Sequence, residues 1–140
     1  MNGSLFAFPP SKDPSQLNPL VLAYIGDAVY DVYVRQYLIS LRNHRPQHLH
    51  AQAVKFVSAK AQAQFLKNWL PLLTEEELDV VKRGRNAKSG SVPKNADILD
   101  YRHATAFECL IGYLYYSERF DRLRALLDQV IPIHSPISEK

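Results

Sequence analysis

The stretch Leu22-Ala23-Tyr24-Ile25-Gly26-Asp27-Ala28-Val29-Tyr30-Asp31-Val32-Tyr33-Val34 decides how this chain folds. Apolar side chains at Leu22, Ile25, Val29 and Val32 recur at spacings of three and four, which predicts a helix with one greasy face. Asn18 is a good N-cap and Pro19 suits the first helical position, so the helix starts cleanly. Two residues sit badly in it. Glycine in a helix interior costs about 1 kcal/mol against alanine, yet Gly26 is there. Asp27 lies near the edge of the apolar stripe, where a carboxylate needs a cation, a metal or hydrogen-bond donors. Keeping both is expected of a helix that admits a close neighbour and holds a charge for a purpose. The plainer alternative is an aspartate paired with an arginine. Asp31, one turn on and about 40° round the helix, is a second acid that could serve or simply be solvated.

On either side, the chain reads as further helices. Residues 1–17 hold Pro9, Pro10 and Pro14 and form an irregular leader. The first helix runs from Asn18 to about Leu41, and Arg42-Asn43-His44-Arg45-Pro46 breaks it. Pro46 opens a second helix to Val57, and Ser58 caps a third to Leu70, with Phe65, Leu66 and Trp69 as its apolar positions. Thr74-Glu75-Glu76-Glu77 is a capping box that starts a fourth, running out near Arg83-Gly84. Arg85 to Asn95 reads as a loop. A fifth helix begins near Asp97 or Asp100 and carries Phe107, Leu110, Ile111, Leu114 and Tyr115. A sixth spans Phe120 to Ile131, and residues 132–140 are an irregular tail. No stretch alternates as a strand would. The expectation is one all-α domain of about six helices over 1–140.

Composition narrows the function. The chain has 46% hydrophobic and 22% charged residues, as a globular domain does. Its single cysteine, Cys109, excludes an internal disulfide and a cysteine-cluster metal site, and reads as a buried small side chain in a reducing compartment. No apolar run is long enough to span a bilayer and no signal peptide is visible, so the expectation is a soluble cytoplasmic protein with no membrane partner. A net charge of +3 is a weak pointer to a polyanion.

The charge is concentrated. Between Asp79 and Asp97 the chain carries Lys82, Arg83, Arg85, Lys88 and Lys94 with no acid, and Asn86, Ser89, glycines and serines lie among them. Such a segment can follow a phosphate backbone; a solvated basic loop is the alternative. No aromatic residue interleaves with the cations, so duplex recognition by charge and shape suits it better than stacking of unpaired bases. Ala104-Thr105-Ala106-Phe107-Glu108-Cys109-Leu110-Ile111-Gly112 repeats the anomaly of Asp27, an acid in an apolar helix with a glycine nearby. Two such helices packed together would set two carboxylates side by side, which suits a hard divalent cation such as magnesium. A Glu108 paired with Arg35 or Arg102 is the alternative. The scattered histidines read as surface or core residues.

Leu22-Ala23-Tyr24-Ile25-Gly26-Asp27-Ala28-Val29 resembles the signature helix of the ribonuclease III catalytic domain, and Thr105 to Leu110 resembles that family's second acidic motif. Within the family, the likeness to the short Mini-ribonuclease III members covers nearly the whole chain. It includes Lys82-Arg83-Gly84-Arg85-Asn86-Ala87-Lys88-Ser89-Gly90 and Pro93-Lys94-Asn95. The resemblance implies a homodimeric, magnesium-dependent endoribonuclease whose two sites cut opposite strands of duplex RNA. It implies precursor of large-subunit (23S) ribosomal RNA as the substrate, with a 5′-phosphate and a 3′-hydroxyl as products. It makes Asp27 and Glu108 the catalytic, metal-binding acids. Ala23 and Thr105 stand where the full-length pattern has a glutamate and an aspartate. With no double-stranded-RNA-binding domain in the likeness, the basic segment is the natural holder of RNA. Those two departures favour a rival, a non-catalytic RNA-binding or ribosome-assembly module with a decayed site; a helical scaffold with structural acids is a third possibility.

Overall fold

The computed structural model of the protein describes residues 5–87 and 92–131, which form helices and no strands. Six α-helices follow in order: α1 (Pro19–Ile39), α2 (Pro46–Val57), α3 (Ala59–Trp69), α4 (Glu75–Asn86), α5 (Ile98–Tyr116) and α6 (Phe120–Val130). Single 3-10 turns at Pro14–Gln16 and Leu70–Leu72 precede α1 and follow α3.

The caps fall where side chains can supply them. Asn18 accepts from the Leu20 amide at 2.8 Å and Asp97 from the Asp100 amide at 3.0 Å. Ser58 ends α2 and caps α3 through the Ala61 amide at 3.2 Å. Thr74 and Glu77 close a capping box at the start of α4. Glu77 does more than cap. Its side chain is 2% exposed, and Arg122 from α6 grips it with Nε at 2.9 Å and Nη2 at 2.7 Å. That guanidinium holds the Glu77 carboxyl below the usual carboxylate range despite burial. The pair ties α4 to α6.

α5 is the axis. From Ala104 to Leu114 every residue is buried except Thr105 and Glu108, which are half-buried. α1, α3, α4 and α6 pack round it, as a helix apolar on nearly all sides requires. Phe107 sits at the centre, stacked on Trp69 at 4.5 Å and met edge-on by Tyr30 at 4.9 Å. The polar tips of the aromatic residues find backbone partners, Tyr30 on the Phe56 carbonyl (2.8 Å) and Trp69 on the Leu126 carbonyl (2.9 Å). Cys109 is buried as expected, and burial pushes its thiol up to about 12, which keeps it inert.

Two expectations need correction. The buried face of α1 is Leu22, Ala23, Gly26, Tyr30, Val34 and Leu38, rotated from the predicted stripe; Ile25 and Val29 are half-buried and Val32 is 55% exposed. The rotation turns the small residues, not the branched ones, toward α5. And α4 does not stop at Gly84 but continues to Asn86. Gly84 is no helix end: a Cβ there would lie 2.9 Å from Cys109 Cβ and 3.0 Å from Ala106 Cα, so the missing side chain lets α4 approach α5.

Candidate active site

α1 and α5 cross backbone against backbone. A Cβ on Gly26 would lie 1.8 Å from the Glu108 carbonyl oxygen, and one on Gly112 would lie 2.0 Å from the Leu22 carbonyl oxygen. Neither position tolerates a side chain, because the obstructing atoms are main chain. The crossing therefore fixes the residues beside the glycines. Asp27 follows Gly26, Glu108 precedes Gly112 by one turn, and the two carboxyl groups meet across the seam. Asp27 stands exposed on the rim while Glu108 is half-buried behind it.

Burial, and then the neighbouring Asp27 carboxyl, push Glu108 up to about 8, while the Gln62 amide beside it pulls the other way. Glu108 would thus hold a proton in the folded, metal-free chain well above 4.5, its ordinary value. The folded state binds that proton between pH 4.5 and about 8 and the unfolded state does not, so this group's contribution to stability falls as pH rises across that window. Glu108→Gln removes the penalty. Thermal unfolding in chelator should show the variant several degrees more stable than the parent at pH 8, and level with it at pH 4.

The remaining acids and cations sort themselves. Arg35 pairs with Asp31 at 3.1 Å on the surface of α1, so Asp31 is a bridged neighbour and Arg35 is not the partner of Glu108. Arg102 is exposed. Ala23 is a core methyl, 7% exposed. The Thr105 hydroxyl donates back to the Tyr101 carbonyl of its own helix at 3.0 Å, a common fate of threonine inside a helix. Among the described residues no third histidine, cysteine or carboxylate joins Asp27 and Glu108.

Lys82, Arg85 and Asn86 project from the last turns of α4 and are exposed; Lys94 is exposed in the turn between Pro93 and Ala96. Arg83 is otherwise engaged. It is half-buried and donates to the carbonyls of Ser15 (3.2 Å) and Leu17 (3.4 Å), strapping the segment before α1 onto α4. Lys88 and Ser89 lie outside the described residues.

Residues 20–119 match the ribonuclease III domain. The chain belongs to the ribonuclease III family. Its relatives there include Mini-ribonuclease 3 of Brevibacillus brevis, 57% identical over 88% of this chain and 92% of that protein. Mini-ribonuclease 3 of Enterococcus faecalis is 48% identical over 92% and 99%. The crystal structure of protein FN1578 from Fusobacterium nucleatum superimposes with a TM-score of 0.79, at 28% identity, over 86% of this chain and 98% of that one. As a ribonuclease III the chain is an endoribonuclease, from a family generally dependent on divalent metal and acting on double-stranded RNA.

The residues present fit such an ion. One carboxylate is solvent-facing, the other is held against it with its charge suppressed, and a divalent cation would relieve that suppression. One participant escaped the sequence reading: Gln62. It is buried in register with Leu66 and Trp69 on α3. A polar residue at a position whose helical neighbours are core was the available signal.

Proposed function

We propose that the protein is a magnesium-dependent endoribonuclease that hydrolyses double-stranded RNA, leaving a 5′-phosphate and a 3′-hydroxyl. The observation that carries this reading is the meeting of Asp27 and Glu108 across a crossing that admits no side chain. Asp27 and Glu108 would hold the ion. When bound, magnesium supplies Lewis acidity for the phosphodiester and lowers the pKa of attacking water. Asp27, on the exposed rim, would be the ligand nearer the substrate and would orient the attacking water. Glu108, in its deprotonated form, would be the second ligand, and the interlocked backbones keep the two acids facing each other. Within this class the proposed substrate is the precursor of large-subunit (23S) ribosomal RNA in the cytoplasm, a reading supported by the likeness to Mini-ribonuclease 3.

Incubating the protein with a long RNA duplex, with and without magnesium, tests the reading. Cleavage that appears only with the ion supports it. Binding without cleavage favours a non-catalytic RNA module, the alternative that the core methyl at Ala23 and the back-bonded Thr105 keep in view. Lys82, Arg85, Asn86 and Lys94, with Lys88 and Ser89 beyond the described residues, are the proposed backbone contacts. The double variant Lys82→Ala/Arg85→Ala should make the slope of log affinity against log salt shallower by up to about two units. An unchanged slope places the RNA elsewhere. Arg83 is left out of that test because its guanidinium holds the segment before α1.

A homodimer is part of the proposal, supported by a second face of α1. Val21, Tyr24 and Val32 are exposed on one side of the helix, Tyr24 at 83%, and with Ala28 they keep a spacing of three or four up to the exposed Arg35. An apolar stripe of this length on a surface helix needs a partner, and it flanks Asp27, so a second copy there would set two sites side by side. Tyr24→Arg should sediment at the mass of one chain and lose most duplex cleavage. A variant that stays dimeric would remove this stripe from the interface.

A further inference from the structure

Gln62 and Glu77 are the buried polar residues among those described. Glu77 is fully matched by Arg122 and its capping box. Gln62 is 2% exposed and only partly matched. Its Nε2 donates to the Val57 carbonyl at 3.1 Å, across the break between α2 and α3. The amide also lies against the Glu108 carboxyl. Its Oε1 is buried without a hydrogen-bond partner. An orphaned amide oxygen in a core is destabilising, and an apolar side chain of the same length, such as methionine, would avoid that cost.

The site explains why an amide stays. Asp27 and Glu108 are two carboxylates in a place where Ala23 offers no oxygen and the Thr105 hydroxyl, which donates to the Tyr101 carbonyl, offers no charge. Hard divalent ions keep several waters, and those waters need acceptors around them. We propose that Gln62 is a positioning residue of the metal site, steadying the Glu108 carboxylate through its amide hydrogens and offering Oε1 as an acceptor to the hydration shell of the bound ion. The inference rests on the reading of Asp27 and Glu108 as metal ligands. It adds a third, neutral group, from a third helix, to a centre that both acids leave short of oxygen. Bridging Val57 and Glu108 also makes the α2–α3 break part of the site's frame.

The test is binding of manganese, a spin-active stand-in for magnesium, to the full chain. Free ion is counted by its paramagnetic resonance signal, with magnesium as competitor and no RNA present. Wild type should bind in competition with magnesium, and Asp27→Asn should not; if either fails, the two-acid reading fails and the role of Gln62 falls with it. Where that control holds, Gln62→Met should weaken manganese binding by about 10-fold to 100-fold, the range seen when groups behind metal ligands are removed. Gln62→Glu, which restores oxygen, should bind at least as tightly as wild type. Wild-type affinity in Gln62→Met overturns the proposal and leaves Gln62 a core residue. Should Gln62→Met fail to fold, Gln62→Glu decides alone: affinity at or above wild type supports the assignment, and weakened affinity overturns it.

Discussion

Asp27→Asn should keep the fold and lose duplex cleavage by about a thousandfold or more. Asp27 is exposed on the rim of the α1–α5 seam, so no packing depends on its charge, and asparagine keeps its shape. The loss is electrostatic. A bound divalent ion contributes several kcal/mol of transition-state stabilisation, each 1.4 kcal/mol of which is about tenfold in rate, and an amide is a poor ligand for it. The substitution also removes the neighbour that, after burial, does most to raise Glu108. The metal-free variant should therefore unfold at the same temperature as the parent or above it, which separates a lost ligand from a lost fold. Cleavage rates on a defined duplex at saturating magnesium, with melting curves alongside, give both readings. Wild-type cleavage by this variant would remove Asp27 from the chemistry.

How far the molecule was legible from its residues depends on what each signal encodes. Caps and breakers are local, so Asn18, Ser58, and Thr74 with Glu77 marked helix starts that the structure keeps, and of the two candidates Asp97 and Asp100 the first caps the fifth helix. Burial on α1 is not local. Apolar residues occupy that helix on nearly every side, and period alone could not tell the face that meets α5 from the exposed face bearing Val21, Tyr24 and Val32. Gly84 misled for a related reason. A glycine among cations reads as a loop, whereas here it is spent on close approach to Cys109 and Ala106 within a continuing helix. Asp27 and Glu108 were legible as anomalies because an acid stands out in an apolar helix, although only Glu108 is half-buried and Asp27 is exposed. Gln62 was missed because an uncharged amide is ordinary on a solvated helix face, and only its register with Leu66 and Trp69 set it apart.

The largest effect on stability should come from the same crossing. In Gly26→Ala the new methyl would sit 1.8 Å from the Glu108 carbonyl oxygen and 2.9 Å from the Gly112 amide nitrogen. Main chain cannot rotate aside, so α1 and α5 must separate along the most buried seam of the protein. Alanine recovers about 1 kcal/mol of helix propensity. Against that, forcing a methyl into a packed core costs about 1–3 kcal/mol even where side chains can adjust, and here none can, so the net loss should be about 3 kcal/mol or more. Cleavage should fall further than stability alone dictates, because a displacement of about 1 Å at reacting groups costs about a hundredfold. Gly112→Ala should behave alike, its methyl 2.0 Å from the Leu22 carbonyl oxygen. Gly84→Ala should be milder, since its nearest obstacle is the Cys109 side chain at 2.9 Å. The double variant Gly26→Ala/Gly112→Ala should cost much less than the two single losses added, because helices already parted by one methyl have room for the second. Denaturant titration of the four variants checks that order. Additive losses would mean that the two glycines relieve separate contacts, and that Asp27 and Glu108 are not held together by one shared approach of backbone.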